Sequence, residues 1–177
     1  LVSILLAQHR FSEARKLAAE LVREDPETIE YRAMLAEVEM ELGNYESASA
    51  LLSSLHADRR QLALAPRFAR WVELNGAPEE AIRIARRMRD ETMGRFDLDA
   101  SRALWFHLRV IDLELRYGHT DEASRAVRVA ELVAPNDWRL LVAAARVEMQ
   151  LDRPERAIAL AERAVAIVAD PAALALL

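Results

Sequence analysis

Four histidines and several adjacent pairs of acidic residues are the groups in this sequence that could carry acid–base or metal chemistry. Such chemistry needs a set spacing, for example two histidines four residues apart on one helix face, which together bind zinc. No histidine here belongs to such a motif; they stand at His9, His56, His107 and His119. We therefore expect packed or solvated histidines and no metal site.

The acidic pairs have a simpler explanation than catalysis. Most of them stand where a helix is predicted to begin, and carboxylates there are stabilised by the positive end of the helix dipole. The pairs include Glu79-Glu80, Asp90-Glu91 and Asp121-Glu122. We assign them to helix starts, with paired acids for catalysis as the less favoured alternative.

Motifs for binding nucleotides or activating a nucleophile are missing as well. The chain has 4 glycines and no cysteine, and it contains neither a glycine-rich phosphate loop nor a GxSxG sequence around a serine. Without cysteine, disulfides and thiolate metal sites are excluded. The sequence thus predicts no catalytic residue, no cofactor and no metal, and we expect that the chain is not an enzyme.

The overall composition indicates helices. Ala, Leu, Arg and Glu dominate, all good helix formers, and apolar residues make up 53% of the chain. No apolar run approaches the roughly 18 residues of a membrane span, and the net charge of -5 argues against non-specific nucleic-acid binding. Lys16 is the single lysine among 24 basic residues, a bias associated with GC-rich bacterial genomes. The compartment, cytoplasm or periplasm, stays open.

A phrase consisting of a turn, an acid, an alanine and then apolar residues three and four apart recurs along the chain. It is clearest in "LGNYESASALLSSLH" (42–56) and "LDRPERAIALAERAV" (151–165). Its alanines, here called the register alanines, follow one another at spacings of 34, 33, 42 and 34 residues; they are Ala14, Ala48, Ala81, Ala123 and Ala157. A period near 34 is typical of tetratricopeptide repeats, in which each unit is a helix–turn–helix.

The match extends to other positions, and over essentially its whole length the chain resembles the tetratricopeptide repeat family. The family often has glycine in the turn before the alanine, as at Gly43, Gly76 and Gly118, whereas His9 and Asp152 depart from the pattern. Apolar residues follow each alanine at four and seven positions, and closing prolines stand at Pro26, Pro135 and, two places late, Pro171.

The resemblance implies an all-α fold, an α-solenoid of stacked helix–turn–helix repeats forming a right-handed superhelical array. We expect one array over residues 1–177, as part of a longer bacterial protein. Its repeats are predicted at about 1–26, 27–58, 59–95, 99–135 and 136–170, followed by the start of a further helix at 171–177.

Local signals predict details of these helices. Asp25-Pro26 and Asp170-Pro171 each read as an N-cap followed by proline at the first helical position, and Asn136-Asp137 offers another cap. Pro66 either begins a helix or kinks one that starts near Arg60. The spacing of 42 indicates an insertion, which we place at 92–100 as a longer loop or extended helix ends.

In tetratricopeptide arrays the first helix of each repeat lines a concave groove, so the resemblance implies a protein or peptide partner. Helical spacing assigns to this groove a stripe that changes from acidic to basic along the chain. Its members are Glu30, Glu37, Met40, Glu41, Arg70, Glu73, Trp105, Asp112, Arg116, Arg139, Arg146 and Met149. A simpler interpretation stays open, in which these charges are ordinary solvated groups. The asparagines with which related co-chaperones grip a C-terminal carboxylate are missing.

Two further features have competing interpretations. The basic segment "IRIARRMRDE" (82–91) is a solvated helix face or, less favoured, a nucleic-acid contact. Of the tryptophans, we expect Trp71 and Trp138 in the core. Trp105 and Phe106 are neighbours that face different ways, so one of them is expected to reach the groove.

These observations predict a protein–protein interaction scaffold that binds a partner peptide or helix in its concave groove, without catalysis of its own. The alternative is a regulatory or substrate-recruiting segment of a larger bacterial enzyme or of a secretion or assembly machine. Self-association through apolar terminal edges is a third possibility. The edges would consist of Leu1, Ile4, Leu5, Leu174 and Leu177.

Overall fold

The structure is a computed structural model that describes residues 1–55, 64–93 and 100–177. Within these ranges the regular structure is helical throughout and contains no strand, which confirms the predicted all-α class. The helices are α1 (Val2–Ala7), α2 (Phe11–Glu24), α3 (Ile29–Glu41), α4 (Tyr45–Ser54), α5 (Ala65–Leu74), α6 (Pro78–Thr92), α7 (Ala100–Arg116), α8 (Thr120–Glu131), α9 (Trp138–Gln150), α10 (Pro154–Ile167) and α11 (Pro171–Leu174).

The chain divides into two compact units, residues 1–84 and 85–177. In the first unit α1 packs on α2 and α3 packs on α4, while in the second α7 packs on α8 and α9 on α10. The first helices of successive pairs also contact each other, α1 with α3, α3 with α5, and α7 with α9. Each unit is therefore a stack of helix pairs, because one pair cannot bury its own apolar face.

One turn geometry recurs between the two helices of each pair. Five residues before each register alanine the backbone is left-handed, with φ between 56° and 79°, at His9, Gly43, Gly76, Gly118 and Asp152. The next residue donates its N–H to the carbonyl five positions back, at 2.8–3.1 Å, as in His119 to Glu114. This is the Schellman motif, which satisfies the last carbonyls of the first helix.

His9 and Asp152 keep this geometry although neither is glycine. His and Asp are among the side chains that tolerate positive φ best, so the backbone requirement of the repeat is met at a modest conformational cost. The two departures that the sequence shows are therefore departures of residue type and not of structure.

The register alanines are equivalent in space as well as in sequence. Each is the fourth residue of its helix, the second of its pair, and each is fully buried. A side chain of one carbon at this point lets the two helices approach closely, and any larger one would push them apart. The repeat found in the sequence thus corresponds to one buried helix position that recurs five times.

Each unit has its own apolar core. In the first, Met40 of α3 packs with Leu52 and Leu55 near the end of α4 and with Phe68 of α5. In the second, clusters join α9 and α10 around residues that include Leu141, Val142, Ala145, Ala161 and Ala164. Trp71 and Trp138 pack against these cores, as predicted.

The helix starts agree with the predictions at three sites and disagree at one. Asp137 and Asp170 cap α9 and α11 by accepting the N–H groups of Arg139 and Ala172, at 2.9 and 2.8 Å. Pro66 lies in the first turn of α5, which it therefore begins and does not kink.

The prediction at Asp25 is wrong. Its carboxylate accepts the N–H of Glu27 at 3.3 Å and the hydroxyl of Thr28 at 2.5 Å, closing a local turn. Because these bonds hold residues 26–27 in the turn, α3 begins only at Ile29 with Thr28 as its N-cap.

The apolar residues predicted at the ends of the chain are exposed in all cases but one. Leu1, Ile4, Leu174 and Leu177 are exposed, but Leu5 is buried in the core of the first unit, so Leu5 does not belong to an apolar edge. The predicted insertion at 92–100 lies largely outside the described residues, as does Arg60.

Candidate partner-binding surface

In the first unit, part of the predicted stripe is already occupied by contacts within the protein. Glu37 of α3 accepts a hydrogen bond from Arg67 of α5, with Nε 2.9 Å from Oε2. Glu30 and Glu41 lie exposed on α3. The acidic character expected here is therefore reduced by an arginine that the stripe did not include.

Two predicted groove residues of this unit are buried. Met40 is 4% exposed and packs in the core, and Glu73 is buried while its carboxylate accepts a hydrogen bond from Arg70 at 3.1 Å. Neither offers a surface to a partner, because the space over them is filled by other side chains of the protein. Met40 and Glu73 are therefore not part of a surface that a partner could contact.

In the second unit, the predicted stripe comes together along the contact between α7 and α9. A depression of about 190 Å³ there is lined by Leu108, Ile111, Asp112, Leu115, Arg139, Val142, Ala143 and Arg146. A second, of about 430 Å³, is lined by Leu115, Arg116, Arg146, Met149, Gln150 and Leu176. Leu115 and Arg146 line both, so the two depressions adjoin. We call this region the α7–α9 face.

The charges of the α7–α9 face converge on one carboxylate. Oδ2 of Asp112 accepts a hydrogen bond from Arg109 at 3.2 Å and another from Arg116, one turn further along α7. Arg146 of α9 approaches Oδ1 at 3.8 Å, which is close enough for an ion pair and too long for a hydrogen bond. A single carboxylate thus faces three guanidinium groups.

Arg139, the remaining arginine of the stripe in this unit, is held by its own helix start. Its Nε and Nη2 donate to Asp137 at 2.9 and 2.7 Å, and Nη2 also donates to Ser101 of α7 at 3.0 Å. The hydrogen bond from the Arg139 guanidinium lowers the pKa of Asp137 below its usual range. Partial burial of Asp137 acts in the opposite direction but is the smaller influence. Arg139 therefore fixes α9 against α7 in addition to lining the depression.

The aromatic pair of α7 is divided as expected between surface and core. Trp105 is 43% exposed, whereas Phe106 is buried, and the two rings meet edge to face with centroids 5.1 Å apart. Trp105 lies one turn before Leu108 on α7. It therefore continues the stripe toward the start of α7, outside the smaller depression.

Buried carboxylates inside the helix pairs are an additional feature that was not predicted from the sequence. Glu39 accepts hydrogen bonds from Arg15 of α2 and from Asn44 of its own turn, at 2.7 and 2.6 Å. Glu114 is likewise held by Arg86 of α6 at 2.8 Å and contacts His119 Nδ1 at 3.1 Å.

The sequence does contain a signal for these carboxylates. Glu39, Glu114 and Glu148 all stand nine residues before a register alanine, and the polar residue five positions later belongs to the turn. Each carboxylate therefore ties its first helix to the following turn, and Glu39 and Glu114 also tie it to the preceding helix. They bind protein groups and thereby position the helices and turns that they join.

Another group that could carry chemistry, His107 on α7, is buried, and its Nδ1 has no hydrogen-bond partner among the described residues. His107 is 1% exposed, and burial, followed by the nearby Arg89, lowers its pKa below the ordinary value of 6.5. No three His, Asp or Glu side chains in residues 1–55, 64–93 and 100–177 form a group that could hold a metal ion. In the same ranges no helix combines the length and apolar character needed to cross a bilayer.

The basic segment of α6 is paired with carboxylates. Arg86 contacts Glu114 and, at 3.5 Å, Glu122 of α8, and ion pairs on α6 itself join Arg83 with Glu80 and Arg87 with Glu91. Its positive charge is thus partly neutralised by carboxylates.

Known proteins provide an independent test of the repeat. The tetratricopeptide repeat family model matches residues 5–67. A comparison with curated proteins gives no match. Among solved structures, TTC0263, a thermophilic tetratricopeptide repeat protein of Thermus thermophilus, superimposes with a TM-score of 0.76 at 20% identity, covering 99% of this chain and 91% of that one.

Two further structures are similar over nearly the whole chain. A tetratricopeptide repeat protein of Parabacteroides merdae has a TM-score of 0.75 at 17% identity, covering 99% of this chain and 66% of that one. YrrB, a tetratricopeptide repeat protein with an unusual peptide-binding site, has a TM-score of 0.61 at 15% identity, with 98% and 86% covered. Residues 5–67 thus match the tetratricopeptide repeat family model, and over nearly its whole length the chain has the fold of these tetratricopeptide repeat proteins.

Proposed function

We propose that the chain is a protein-interaction scaffold that binds a peptide or helix segment on the α7–α9 face and carries out no chemistry of its own. The observation that carries this proposal is the pair of adjoining depressions, which bring apolar side chains and exposed charge together on two neighbouring first helices. Binding sites of this kind are concave and largely apolar, with a few polar groups that orient the ligand.

The shape of the α7–α9 face supports a short segment over a flat protein surface. Trp105, Leu108 and Leu115 follow one another along α7, and Arg146 and Met149 lie on the facing side of α9. A shallow channel between two helices accommodates one strand or helix of a partner. The unusual peptide-binding site of YrrB, which shares the fold, is consistent with this choice.

The proposal includes six of the predicted stripe residues, all in the second unit. They are Trp105, Asp112, Arg116, Arg139, Arg146 and Met149. Glu30, Glu37, Glu41 and Arg70 belong to a separate candidate surface in the first unit, which this proposal does not include.

Peptide selection tests the proposal. Random peptides of about twelve residues are displayed on phage and selected on the whole chain, and the enriched peptides are measured by fluorescence anisotropy. Leu108→Gln places an amide in the smaller depression. We expect binding to weaken about tenfold or more, because a buried apolar contact is lost and an unpaired amide is introduced.

Ile158→Gln is the matched control, since Ile158 is an exposed apolar residue on α10, away from this face. Circular dichroism establishes that both variants keep the helix content of the parent. Equal affinity of all three proteins for the selected peptides would contradict the proposal, as would a failure to select any binding peptide.

A further inference from the structure

The charges on the α7–α9 face distinguish among peptide partners. We propose that this face takes a segment in which an Asp or Glu lies close to a large apolar residue, the apolar side chain entering the smaller depression and the carboxylate binding Arg146. This inference rests on the proposed function and adds the chemistry of the partner.

The smaller depression has the size and lining for one side chain. Its volume is about 190 Å³, and apolar walls come from Leu108, Ile111 and Leu115 on α7 and from Val142 and Ala143 on α9. A cavity of about 150 Å³ with such a lining can hold a benzene molecule. One Leu, Ile, Met or Phe side chain therefore fits, and its transfer from water is favourable.

Arg146 supplies the group that recognises a carboxylate. Its side chain is 53% exposed, and its contact with Asp112, at 3.8 Å, is longer than a hydrogen bond. A guanidinium has five N–H donors in a planar fork that fits the two oxygens of a carboxylate. A carboxylate of the partner can form with Arg146 the short hydrogen bonds that Asp112 does not form.

Asp112 positions Arg146 by an ion pair and leaves its N–H groups able to bind a partner. Asp112 accepts its two shorter hydrogen bonds through Oδ2. Their donors, Arg109 and Arg116, lie on the same helix, α7. The remaining oxygen draws the Arg146 guanidinium toward the edge of the depression at ion-pair distance. The cation is thus held over the apolar pocket before a partner arrives, which reduces the entropy lost on binding.

The sign of the lining charge selects against a basic partner. Asp112 is the one acidic residue among the described residues that line the two depressions, whereas Arg116, Arg139 and Arg146 are basic. A Lys or Arg of the partner would meet excess positive charge. Like charges that face each other across an interface weaken binding, so a basic partner is disfavoured. Phosphate of a nucleic acid is disfavoured by the net charge of -5.

The phage selection, repeated at low salt on the whole chain, tests the inference. We expect the enriched peptides to contain an Asp or Glu within a few positions of Leu, Ile, Met or Phe. For a synthetic peptide of this type, Arg146→Gln should weaken binding about five- to tenfold, and Arg146→Glu should weaken it further. Replacement of the acid of the peptide by Gln should have little additional effect in Arg146→Gln, because the two groups act as a pair.

Arg163→Glu is the control, since Arg163 is an exposed arginine on α10 and its replacement changes the net charge equally. Selection of Lys- or Arg-rich peptides, or of peptides without charge, would overturn the inference. Equal weakening by Arg146→Glu and Arg163→Glu would overturn it too, because the effect would then be one of net charge.

The two proposals fail in different ways. If Leu108→Gln abolishes binding but the selected peptides carry no acid, the peptide-binding function stands and the inference about its charge is wrong. If Leu108→Gln has no effect, both are wrong. A fluorescent single-stranded oligonucleotide is the remaining probe: binding stronger than that of the acidic peptide and lost in Arg146→Glu would replace the peptide with a nucleic acid and overturn the inference.

Discussion

Met40 and Met149 occupy the same place in two repeats, eight residues before the register alanines Ala48 and Ala157, yet Met40 is 4% exposed and Met149 is 47% exposed. Met40 is covered by side chains that include Phe68 of the next first helix, α5. Over Met149 lies an open depression, which it shares with Leu176. The exposure of a position on a first helix is therefore decided by the neighbouring repeat and not by the side chain itself.

The same comparison holds for charge. Glu37 and Asp112 both stand eleven residues before a register alanine. Glu37 contacts Arg67 from the next first helix, whereas Asp112 faces arginines from its own helix and from α9. Equivalent acids thus belong to different surroundings, one to an ion pair across two helices and one to a cluster with an excess of positive charge. Four experiments test this contrast, in order of decreasing expected effect.

The largest effect is expected from a carboxylate that lies inside a helix pair. Glu114→Ala should lower the free energy of unfolding by about 3–5 kcal/mol, because it removes the buried carboxylate that contacts both Arg86 and His119 and leaves a cavity in its place. Glu37→Ala is the matched change at a partly exposed acid and should cost less than about 1 kcal/mol. Urea unfolding measures both. Similar losses for the two would contradict the distinction between interior and face.

The methionines give the next largest difference. Met40→Ala should cost about 2–4 kcal/mol, since it opens a cavity among Leu52, Leu55 and Phe68. Met149→Ala removes a half-exposed side chain and should cost less than about 1 kcal/mol. The midpoints of urea unfolding at equal slope report the two values. A cost at Met149 as large as that at Met40 would mean that the open depression is closed in solution.

A smaller effect is expected at the turns. Gly118 has a φ of 79°, and an added Cβ would meet no atom within 4 Å, so the cost of Gly118→Ala is conformational. We expect about 1 kcal/mol net of destabilisation. Asp152→Ala, at a turn where a non-glycine residue already adopts positive φ, should change stability by about half as much or less. Thermal unfolding distinguishes them, and the reverse order would refute the equivalence of the turns.

The smallest effect is a dependence on pH. Burial lowers the pKa of His107 in the folded state. Below the ordinary value of 6.5 the unfolded chain therefore binds more protons at this residue than the folded chain does. Stability should be constant in this respect above pH 6.5 and should fall as the pH drops from there toward the lowered pKa. Urea unfolding between pH 7.5 and 5 measures the slope. The slope should be shallower in His107→Leu, and an unchanged slope would show that another group is responsible.

Most of the architecture could be predicted because the repeat appears five times in the sequence. The register alanines and the glycines of three turns identify the helix pairs independently of any one residue, so the departures at His9 and Asp152 did not obscure them. The start of α3 could not be predicted from Asp25-Pro26, because the same residues favour a helix cap and a local turn. Only the bond from Thr28 to Asp25 decides between the two.

The candidate surface was harder to predict than the fold. Helical spacing places Met40, Glu73, Asp112 and Arg146 on one face of their helices, and it contains no information about what lies across from them. The partner of Glu37 is thirty residues away in the sequence and that of Arg146 is thirty-four residues away. Pairing over such distances depends on how neighbouring first helices are aligned.

The sequence alone determined that this chain is helical, that its unit is a helix pair of about 34 residues, and which small residue stands between the paired helices. These properties are local, since each follows from backbone preferences and from apolar spacing within one repeat. The tertiary structure decided which positions of the first helices are covered and which arginine meets which acid. Those properties arise between repeats, where side chains far apart in sequence share the same space, and no single repeat contains them.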